Sequence, residues 1–326
     1  MGLPELPHLA EVRPVGRDGA GMIYSATDLK LERGVAVRVL NPITGEADRS
    51  HFDRHSKTLG HLSAHPNVVT VYQTGFLSGD RPFLVMEATE GETLADLLVR
   101  RGPMQWQTAV DVVLQLCAGL EQAHRIGALH RNLRPAAVLM SSGTPKLSDL
   151  GVWTVGDRQD PMPDPGTALL HQAPETLNGQ WDERTDLYSL ASILYEMIDG
   201  HAPFWRPGQD SPEAVQLRLM HESAPGLDPE AVPPVLSVFV SAALSKDPFD
   251  RPQSADEFAH ELRLIREGRT TGSTPSVLHG TTGTLPLAIP TPDGPPATPE
   301  PPQQPMHFSS ATMAAIDMPP APAPPG

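Results

Sequence analysis

Residues 130 to 151 read HRNLRPAAVLMSSGTPKLSDLG, a stretch that starts and ends with a short polar motif. The first motif is His130-Arg131-Asn132-Leu133-Arg134-Pro135, and the second is Asp149-Leu150-Gly151. Both motifs lie in a part of the chain whose apolar pattern is helical. That part follows a segment whose pattern predicts β-strands, so the two-part pattern decides the fold class.

The segment from about residue 10 to 87 predicts a sheet with one helix. It consists of short runs rich in β-branched residues with turns between them, a pattern typical of strands. The clearest runs are residues 35–40, 68–72 and 83–86. Between the first two, Phe52, Leu59 and Leu62 recur at roughly helical spacing, which predicts one amphipathic helix.

From Thr93 onward the pattern becomes helical. Thr93 and Asp96 have the spacing of a capping box, which marks a helix start. Longer helices are predicted at residues 106–125, 186–197 and 234–244. We therefore predict an α+β fold with two lobes: a small sheet-rich lobe over 10–87 and a larger helical lobe over 88–266.

The overall charge and apolar content limit the kinds of protein this chain can be. The formal net charge is −15, and no cluster of Lys and Arg suited to a phosphate backbone is present, so a nucleic-acid partner is not expected. No apolar run reaches the roughly 18 residues that a membrane span needs. We therefore expect a cytoplasmic protein. The single cysteine, Cys117, lies in an apolar run and is expected to be a buried helix residue.

The composition changes sharply near Gly268. Residues 267–326 hold 15 of the 37 prolines and few charges, which predicts a disordered Pro/Thr-rich tail. The tail contains three Thr-Pro pairs at Thr274, Thr291 and Thr298. These threonines are either phosphoacceptors for a partner kinase or ordinary tail residues, and the sequence leaves both interpretations open.

Several motifs, in one order and at the expected separations, resemble those of eukaryotic-like, bacterial-type serine/threonine protein kinases over roughly residues 10 to 266. Besides the two motifs quoted above, they are Gly16-Arg17-Asp18-Gly19-Ala20-Gly21 for the glycine-rich loop, Val35-Ala36-Val37-Arg38 for the third strand, Leu84-Val85-Met86-Glu87 for the approach to the hinge, and Ala173-Pro174-Glu175 for the end of the activation segment. The resemblance implies a bilobal kinase fold with an ATP site between the lobes. It also implies that Asp186 braces the catalytic loop and that Glu175 pairs with Arg251.

The resemblance assigns nucleotide contacts to a set of cleft residues. These are the loop glycines Gly16, Gly19 and Gly21, the apolar residues Ile23, Ala36 and Leu139, the gatekeeper Met86, the hinge residue Glu87, and the phosphate contact Arg38. The same apolar positions would equally fill the core of an empty cleft. ATP binding is therefore left open by the sequence.

The positions that perform phosphoryl transfer in the family are largely changed here. Arg38 stands where the family has lysine, and His55 aligns with the glutamate that holds that lysine, with Asp53 as a substitute partner. Asn132 replaces the catalytic base. Ala137 replaces one metal ligand and lacks any donor atom, while Asp149 remains and could bind a single Mg²⁺.

Two further substitutions alter the charge of the predicted phosphate site. Asp18 occupies the second glycine position of the loop, where a carboxylate would repel phosphates or else point to solvent. Arg134 replaces a lysine of the catalytic loop and keeps its charge. Thr154 and Thr167 would be phosphoacceptors in the activation segment, where Arg131 could pair with a phosphate.

These residues support three hypotheses about function. The first is a pseudokinase that acts as a signalling scaffold or regulatory module and binds a protein partner, either an active kinase or a signalling substrate. The second is a weakly active or atypical serine/threonine kinase that uses ATP and one Mg²⁺. The third is a nucleotide-sensing switch that binds ATP without turning it over.

Overall fold

A computed structural model of the chain describes residues 6, 8–18, 20–88, 92–151, 169–206, 208 and 211–269. Within these ranges the smaller lobe is an antiparallel sheet of five strands with the order β1-β2-β3-β5-β4. The elements are β1 (Leu9–Asp18), β2 (Gly21–Asp28), β3 (Arg33–Leu40), α1 (Glu46–Leu62), β4 (Val71–Leu77) and β5 (Arg81–Glu87). The predicted sheet with one helix is confirmed.

The alternation of side chains in β3 separates the two faces of this sheet. Val35, Val37 and Val39 are fully or almost fully buried, and they pack in a small apolar cluster on one face. Ala36 and Arg38 point to the opposite face, because successive strand residues alternate. Ala36 lies opposite Met86, so the face that carries Arg38 also carries the predicted cleft residues.

The strand predicted over 68–72 begins later in the structure. The strand begins only at Val71, and the preceding residues join the lobes instead. The amide of Val69 donates to Leu147 O at 2.9 Å, and the amide of Leu147 donates to Asn67 O at 2.8 Å. Val68 and Val69 are buried by these contacts, so they are β-branched and apolar without belonging to the strand.

The larger lobe is mainly helical, as predicted. Its described helices are α2 (Leu94–Arg101), α3 (Trp106–Arg125), α4 (Glu183–Asp199), α5 (Pro212–His221), α6 (Pro234–Ala243) and α7 (Ala255–Arg266). A hairpin of β6 (Val138–Ser141) and β7 (Thr144–Leu147) lies near the catalytic loop, and short 3₁₀ turns span Pro135–Ala137, Pro174–Asn178 and Pro248–Asp250.

Helix starts in this lobe follow from local hydrogen bonding. Thr93 caps α2 and Asp96 bonds back to it, so the predicted capping box is confirmed. The predicted bounds of α3 agree with the structure. Helix α4 extends beyond the predicted 186–197 at both ends, because Asp182 caps it at the start and Gly200, at φ 90°, ends it.

Helix α3 lies at the centre of the larger lobe and packs against α4, α7 and β7. Cys117 on α3 is 1% exposed, as predicted, and burial raises the pKa of its thiol. None of the helices in the described ranges has the length and apolar character to cross a bilayer. Apart from residues 267–269, the predicted tail lies outside the described residues, so its disorder stays a prediction.

Candidate active site

The loop that carries Asn132 is held in place by one buried carboxylate. Asp186, at the start of α4, accepts hydrogen bonds from the amides of His130 at 2.8 Å and Arg131 at 2.9 Å. His124 Nε2 lies 2.9 Å from the same carboxylate. The predicted bracing role of Asp186 is therefore confirmed, and Asn132 lies next to this anchored backbone with 9% of its surface exposed.

Backbone strain marks both polar motifs. Arg131 has φ 65° and Asp149 has φ 59°, values that residues with a Cβ rarely adopt. Such strain costs of order 1–3 kcal/mol at each residue and persists only where surrounding contacts impose it. The backbone of both motifs is therefore held in an uncommon conformation by its surroundings.

Arg38 and Asp149 form a buried ion pair across the two lobes. The distance from Arg38 Nη2 to Asp149 Oδ2 is 2.8 Å, and the side chains are 3% and 14% exposed. This contact joins β3 to the second polar motif. The sequence predicted both residues as site residues but did not predict that they would bond to each other.

His55 lies on α1 and faces the second polar motif. A Cβ built on Gly151 would lie 2.9 Å from His55 Cε1, so the imidazole packs directly against the glycine, whose φ is 67°. Burial lowers the pKa of His55 to about 4, and its Nε2 has no hydrogen-bond partner among the described residues. The imidazole is therefore neutral near pH 7 and supplies no negative charge to Arg38.

Asp53 does not take over the role of the helix glutamate. Its side chain is exposed to solvent on another face of α1, whereas Arg38 is buried. Among the described contacts, the carboxylate bonded to Arg38 is that of Asp149. The alternative assignment to Asp53 is therefore wrong. Two residues that are two apart on a helix point to different sides, so Asp53 and His55 do not face the same neighbour.

Ala137 and Arg134 lie on the catalytic loop beside Asp149. Ala137 is 2% exposed, and its carbonyl accepts from both the amide and the hydroxyl of Ser148, at 2.9 and 3.1 Å. This contact fixes the backbone just before Asp149. Arg134 is half-buried, and its buried Nε has no hydrogen-bond partner among the described residues.

The glycine-rich segment forms the turn between β1 and β2. Gly16 lies opposite Ile23 and has open space around it. At Gly21, a Cβ would lie only 2.0 Å from Val39 O, so this position accepts only glycine. Gly19 and the side chain of Asp18 lie outside the described residues, and their predicted roles are untested.

The predicted adenine contacts are partly exposed, and three of them, Ile23, Ala36 and Met86, share one face of the sheet. Ile23, Ala36, Met86 and Leu139 are each partly exposed, as residues on a cleft wall are. Met86 and Ala36 are paired across β3 and β5, and Ile23 is paired with Arg38 across β2 and β3. The strand register therefore places Ile23 beside Arg38, at one end of the wall.

Glu87, the predicted hinge contact, makes an ion pair that the sequence did not predict. Lys146 Nζ donates to both of its carboxylate oxygens at 2.7 Å, and both side chains are only partly exposed. Lys146 lies on β7, 59 residues downstream. Nothing in the local sequence around either residue indicates this contact.

The end of the activation segment is anchored as predicted. Arg251 Nη1 and Nη2 bond to the two carboxylate oxygens of Glu175 at 2.7 and 2.8 Å, and the guanidinium is fully buried. This bidentate geometry is the strongest form of a carboxylate ion pair. Thr154 and Thr167, the predicted phosphoacceptors of this segment, lie outside the described residues, as do the tail threonines.

A sheet-rich lobe above a helical lobe, with an anchored catalytic loop and a strained acidic motif between them, defines the protein kinase class of fold. The family model for the protein kinase domain matches residues 9–262. The chain belongs to the protein kinase domain family. Its Asp186 anchor and Glu175 to Arg251 pair are the structural contacts that the resemblance implied.

The relatives place the domain in the bacterial serine/threonine kinase type. The chain is 33% identical over 258 residues to "Serine/threonine-protein kinase PknK" of Mycobacterium bovis, covering 78% of this chain and 23% of PknK. It is 32% identical over 298 residues to "Serine/threonine-protein kinase PknB" of Mycolicibacterium smegmatis, covering 86% of this chain and 46% of PknB. The chain thus spans less than half the length of each.

Solved structures agree on the fold. The Mycobacterium tuberculosis PknI kinase domain aligns with a TM-score of 0.60 at 24% identity, covering 79% of this chain and 96% of that one. Its C20A mutant aligns with a TM-score of 0.61 at 23% identity, covering 81% and 98%. At this identity the likeness shows the fold and not the chemistry.

Protein kinases generally use ATP with Mg²⁺, and the residues present here do not fit the usual metal arrangement. Ala137 offers a buried methyl group where the family has a metal ligand. Asp149 keeps a carboxylate, but Arg38 already bonds to one of its oxygens. No cluster of three or more His, Cys, Asp or Glu side chains suited to a metal occurs in the described part of the chain.

Proposed function

We propose that this domain is a pseudokinase that acts as a regulatory protein-binding module without appreciable phosphoryl transfer. The observation that carries the proposal is Asn132 at the position of the catalytic base. An amide accepts a hydrogen bond from a substrate hydroxyl but takes up no proton. Loss of a positioned base costs on the order of 10²- to 10⁴-fold in rate.

The surroundings of Asn132 support this proposal, because the charges that assist the base in the family are changed as well. His55 is neutral and buried, so the fixed negative charge that orients the strand cation in the family is missing. Arg38 is bonded to Asp149 instead. Because transfer depends almost entirely on positioning and electrostatics, several simultaneous changes lower the rate well beyond a single one.

The binding partner in this proposal is another protein, either an active kinase or a signalling substrate. The support is an intact scaffold combined with an altered catalytic set: the anchors at Asp186 and at Glu175 to Arg251 preserve a two-lobed surface. The net charge of −15 disfavours a nucleic-acid partner. A cytoplasmic location stays a prediction from the sequence.

The alternative is a weakly active serine/threonine kinase that uses ATP and one Mg²⁺ bound through Asp149. The names of the relatives PknK and PknB, both called serine/threonine-protein kinases, favour it. The retained carboxylate and the positive charges of Arg38 and Arg134 favour it as well. The nucleotide-sensing switch is compatible with either proposal, since it requires binding only.

A transfer assay separates the two. Radiolabelled ATP and a generic protein substrate are incubated with the full chain, with Asp149→Ala, and with Asp199→Ala, which removes an exposed carboxylate at the end of α4. We expect the same background incorporation in all three. Incorporation above background that is lost in Asp149→Ala but kept in Asp199→Ala would overturn the proposal in favour of the enzyme.

A further inference from the structure

We propose that a pocket at the C-terminal end of α4 binds a proline-rich segment of the same chain, residues 295–305. The pocket is remote from the catalytic loop along this helix. Asp186, which anchors that loop, lies near the start of α4, and Tyr195, which lines the pocket, lies about 14 Å further along the helix axis. The inference therefore goes beyond the proposed function and does not depend on the chemistry at Asn132.

The pocket has a volume of about 300 Å³ and a wall of aromatic rings. The rings of His201 and Trp205 stack with their centroids 4.4 Å apart and an angle of 8° between their planes. Trp205 is 38% exposed, so part of the indole is open to a ligand. Proline-rich peptides dock in grooves lined by aromatic side chains of this kind.

The loop that carries the two stacked rings is held in one conformation by its own contacts. The amide of Trp205 donates to Ala202 O at 3.0 Å, which closes a turn. The buried Arg218 donates from Nε to Phe204 O at 2.9 Å. Lys246 Nζ lies 4.0 Å from the centre of the Phe204 ring. The aromatic wall is therefore formed before any ligand arrives, which lowers the entropic cost of binding.

Two hydrogen-bond donors of the pocket have no acceptor in the described part of the chain. Tyr195 lines the pocket with only 4% of its surface exposed, and its hydroxyl bonds to no described residue. Burial raises the pKa of this phenol to about 12, so the hydroxyl keeps its proton near neutral pH. The indole N–H of Trp205 also bonds to no described residue. Buried Tyr and Trp usually pair these groups, so the pocket suits a ligand that brings acceptors.

A proline-rich segment is a ligand of this chemistry. The polyproline II helix has no internal hydrogen bonds, so its carbonyl oxygens are free to accept. Proline has no backbone N–H, so acceptors outnumber donors in such a segment. An acidic peptide would instead need cationic partners, and Arg206 of the pocket is already paired with Glu222.

The sequence carries a segment with the spacing that this mode of binding requires. Residues 295–305 read PPATPEPPQQP, with a single charged side chain. Four prolines recur at every third position, namely Pro296, Pro299, Pro302 and Pro305. Because the polyproline II helix has three residues per turn, residues three apart lie along one edge of it. No other stretch of the sequence has four prolines in this spacing.

The connection between α7 and this segment is long enough to reach the pocket. The described residues end at Arg269, and Arg266 on α7 bonds to Asp111 on α3 at 3.2 Å. Just before α3, the amide of Met104 donates to Met197 O, near the end of α4, at 2.6 Å. These contacts place the end of α7 within roughly 35 Å of the pocket. Residues 270–294 can extend to about 80 Å.

The experiment measures the binding of a fluorescently labelled synthetic peptide, residues 295–305, to the full chain by fluorescence anisotropy. The comparison is with a tail variant of the full chain that carries Pro296→Ala, Pro299→Ala, Pro302→Ala and Pro305→Ala and so leaves the pocket open. We expect a Kd on the order of 0.1 mM for the tail variant. The unmodified chain should bind the peptide about tenfold more weakly, because its own tethered segment competes at an effective concentration on the order of 1 mM.

Substitutions made in the tail variant assign the binding to this pocket. Trp205→Ala should weaken peptide binding about tenfold or more. Tyr195→Phe removes only the hydroxyl and should weaken it roughly 3- to 10-fold. Phe249→Ala removes a 76% exposed ring outside the pocket and should leave the Kd unchanged.

A peptide control keeps the test decisive if Trp205→Ala does not fold, which its circular dichroism spectrum will show. A peptide of the same composition, with its prolines moved out of the three-residue spacing, should bind the tail variant about tenfold more weakly than residues 295–305. Equal binding of the two peptides would show that the pocket does not read the proline edge and would overturn the inference.

Three further results would overturn the inference: no peptide binding to the tail variant at about 1 mM peptide, equal affinity of the tail variant and the unmodified chain, or binding that survives both Trp205→Ala and Tyr195→Phe. Sedimentation identifies the source of the segment, and we expect a monomer. A dimer that the tail variant does not form would mean that a second copy supplies the segment. Phosphate transfer is measured separately, so the outcome for the pocket and the outcome for the pseudokinase proposal remain distinct.

Discussion

Acidification should destabilise this domain through His55, and the size of the effect follows from its burial. In the unfolded chain the imidazole has its ordinary pKa of 6.5, whereas burial against Gly151 lowers the pKa to about 4 in the folded protein. Between these two values the unfolded chain binds the proton and the folded chain does not. Stability is therefore fully present above about pH 6.5 and falls as the pH drops toward 4.

The pKa of His55 differs by about 2.5 between the unfolded and the folded chain. At about 1.36 kcal/mol for each pKa unit, complete protonation lowers the free energy of unfolding by roughly 3 kcal/mol. Between about pH 7 and about pH 4.5 the loss attributable to His55 is roughly 2 to 3 kcal/mol. That is a large part of the 5–15 kcal/mol typical of a folded domain. Burial lowers the pKa of His130 too, so this residue contributes in the same direction.

The measurement is urea denaturation, followed by tryptophan fluorescence, across this pH range. His55→Gln removes the titrating ring, and His61→Gln removes an exposed histidine of the same helix as a matched control. Lowering the pH from about 7 to about 4.5 should reduce the free energy of unfolding in all three proteins. We expect this reduction to be smaller in His55→Gln than in the other two, by roughly 2 to 3 kcal/mol. Equal pH dependence in all three would refute the assignment of the effect to His55.

Two further changes test the scaffold. Arg251→Ala should lower the free energy of unfolding by about 3–5 kcal/mol, because it leaves Glu175 without its buried partner. The control Arg269→Ala removes a guanidinium that is 70% exposed and should have almost no effect. If urea unfolds the two variants at the same concentration, the buried ion pair does not contribute the stability assigned to it. Gly21→Ala should cost about 3 kcal/mol or more in thermal unfolding, because its Cβ would lie 2.0 Å from Val39 O, while Gly16→Ala has open space and should cost under about 1 kcal/mol. A mild effect at both glycines would show that the turn can rearrange.

The scaffold contacts were predictable from the sequence because some depend only on neighbouring residues and the others lie in motifs whose order and spacing match the family. The capping box at Thr93 requires only residues three apart. The anchors at Asp186 and Arg251 connect distant residues, but each lies within a motif whose position the family resemblance fixes. Their contacts could therefore be predicted from the sequence alone.

The start of β4 after Val68 and Val69, and the pairing of Arg38, were not predictable in the same way. Val68 and Val69 have the composition of a strand, yet their backbone lies against β7 of the other lobe, and composition does not identify a backbone partner. Asp149 lies 111 residues after Arg38. One signal was available, since a buried arginine needs a carboxylate and the helix position opposite it holds His55.

The pairing of Arg38 with Asp149 also joins the two lobes at the place where the family's catalytic positions are changed in this chain. In the kinase arrangement, the strand lysine is held by a helix glutamate of the same lobe, and the metal motif of the other lobe is held by metal and phosphates. Here one ion pair joins β3 directly to the second motif, so the carboxylate of Asp149 has a cationic partner within the chain. The anchors at Asp186 and at Glu175 use other residues, so they do not depend on the side chains of Asn132 or Ala137.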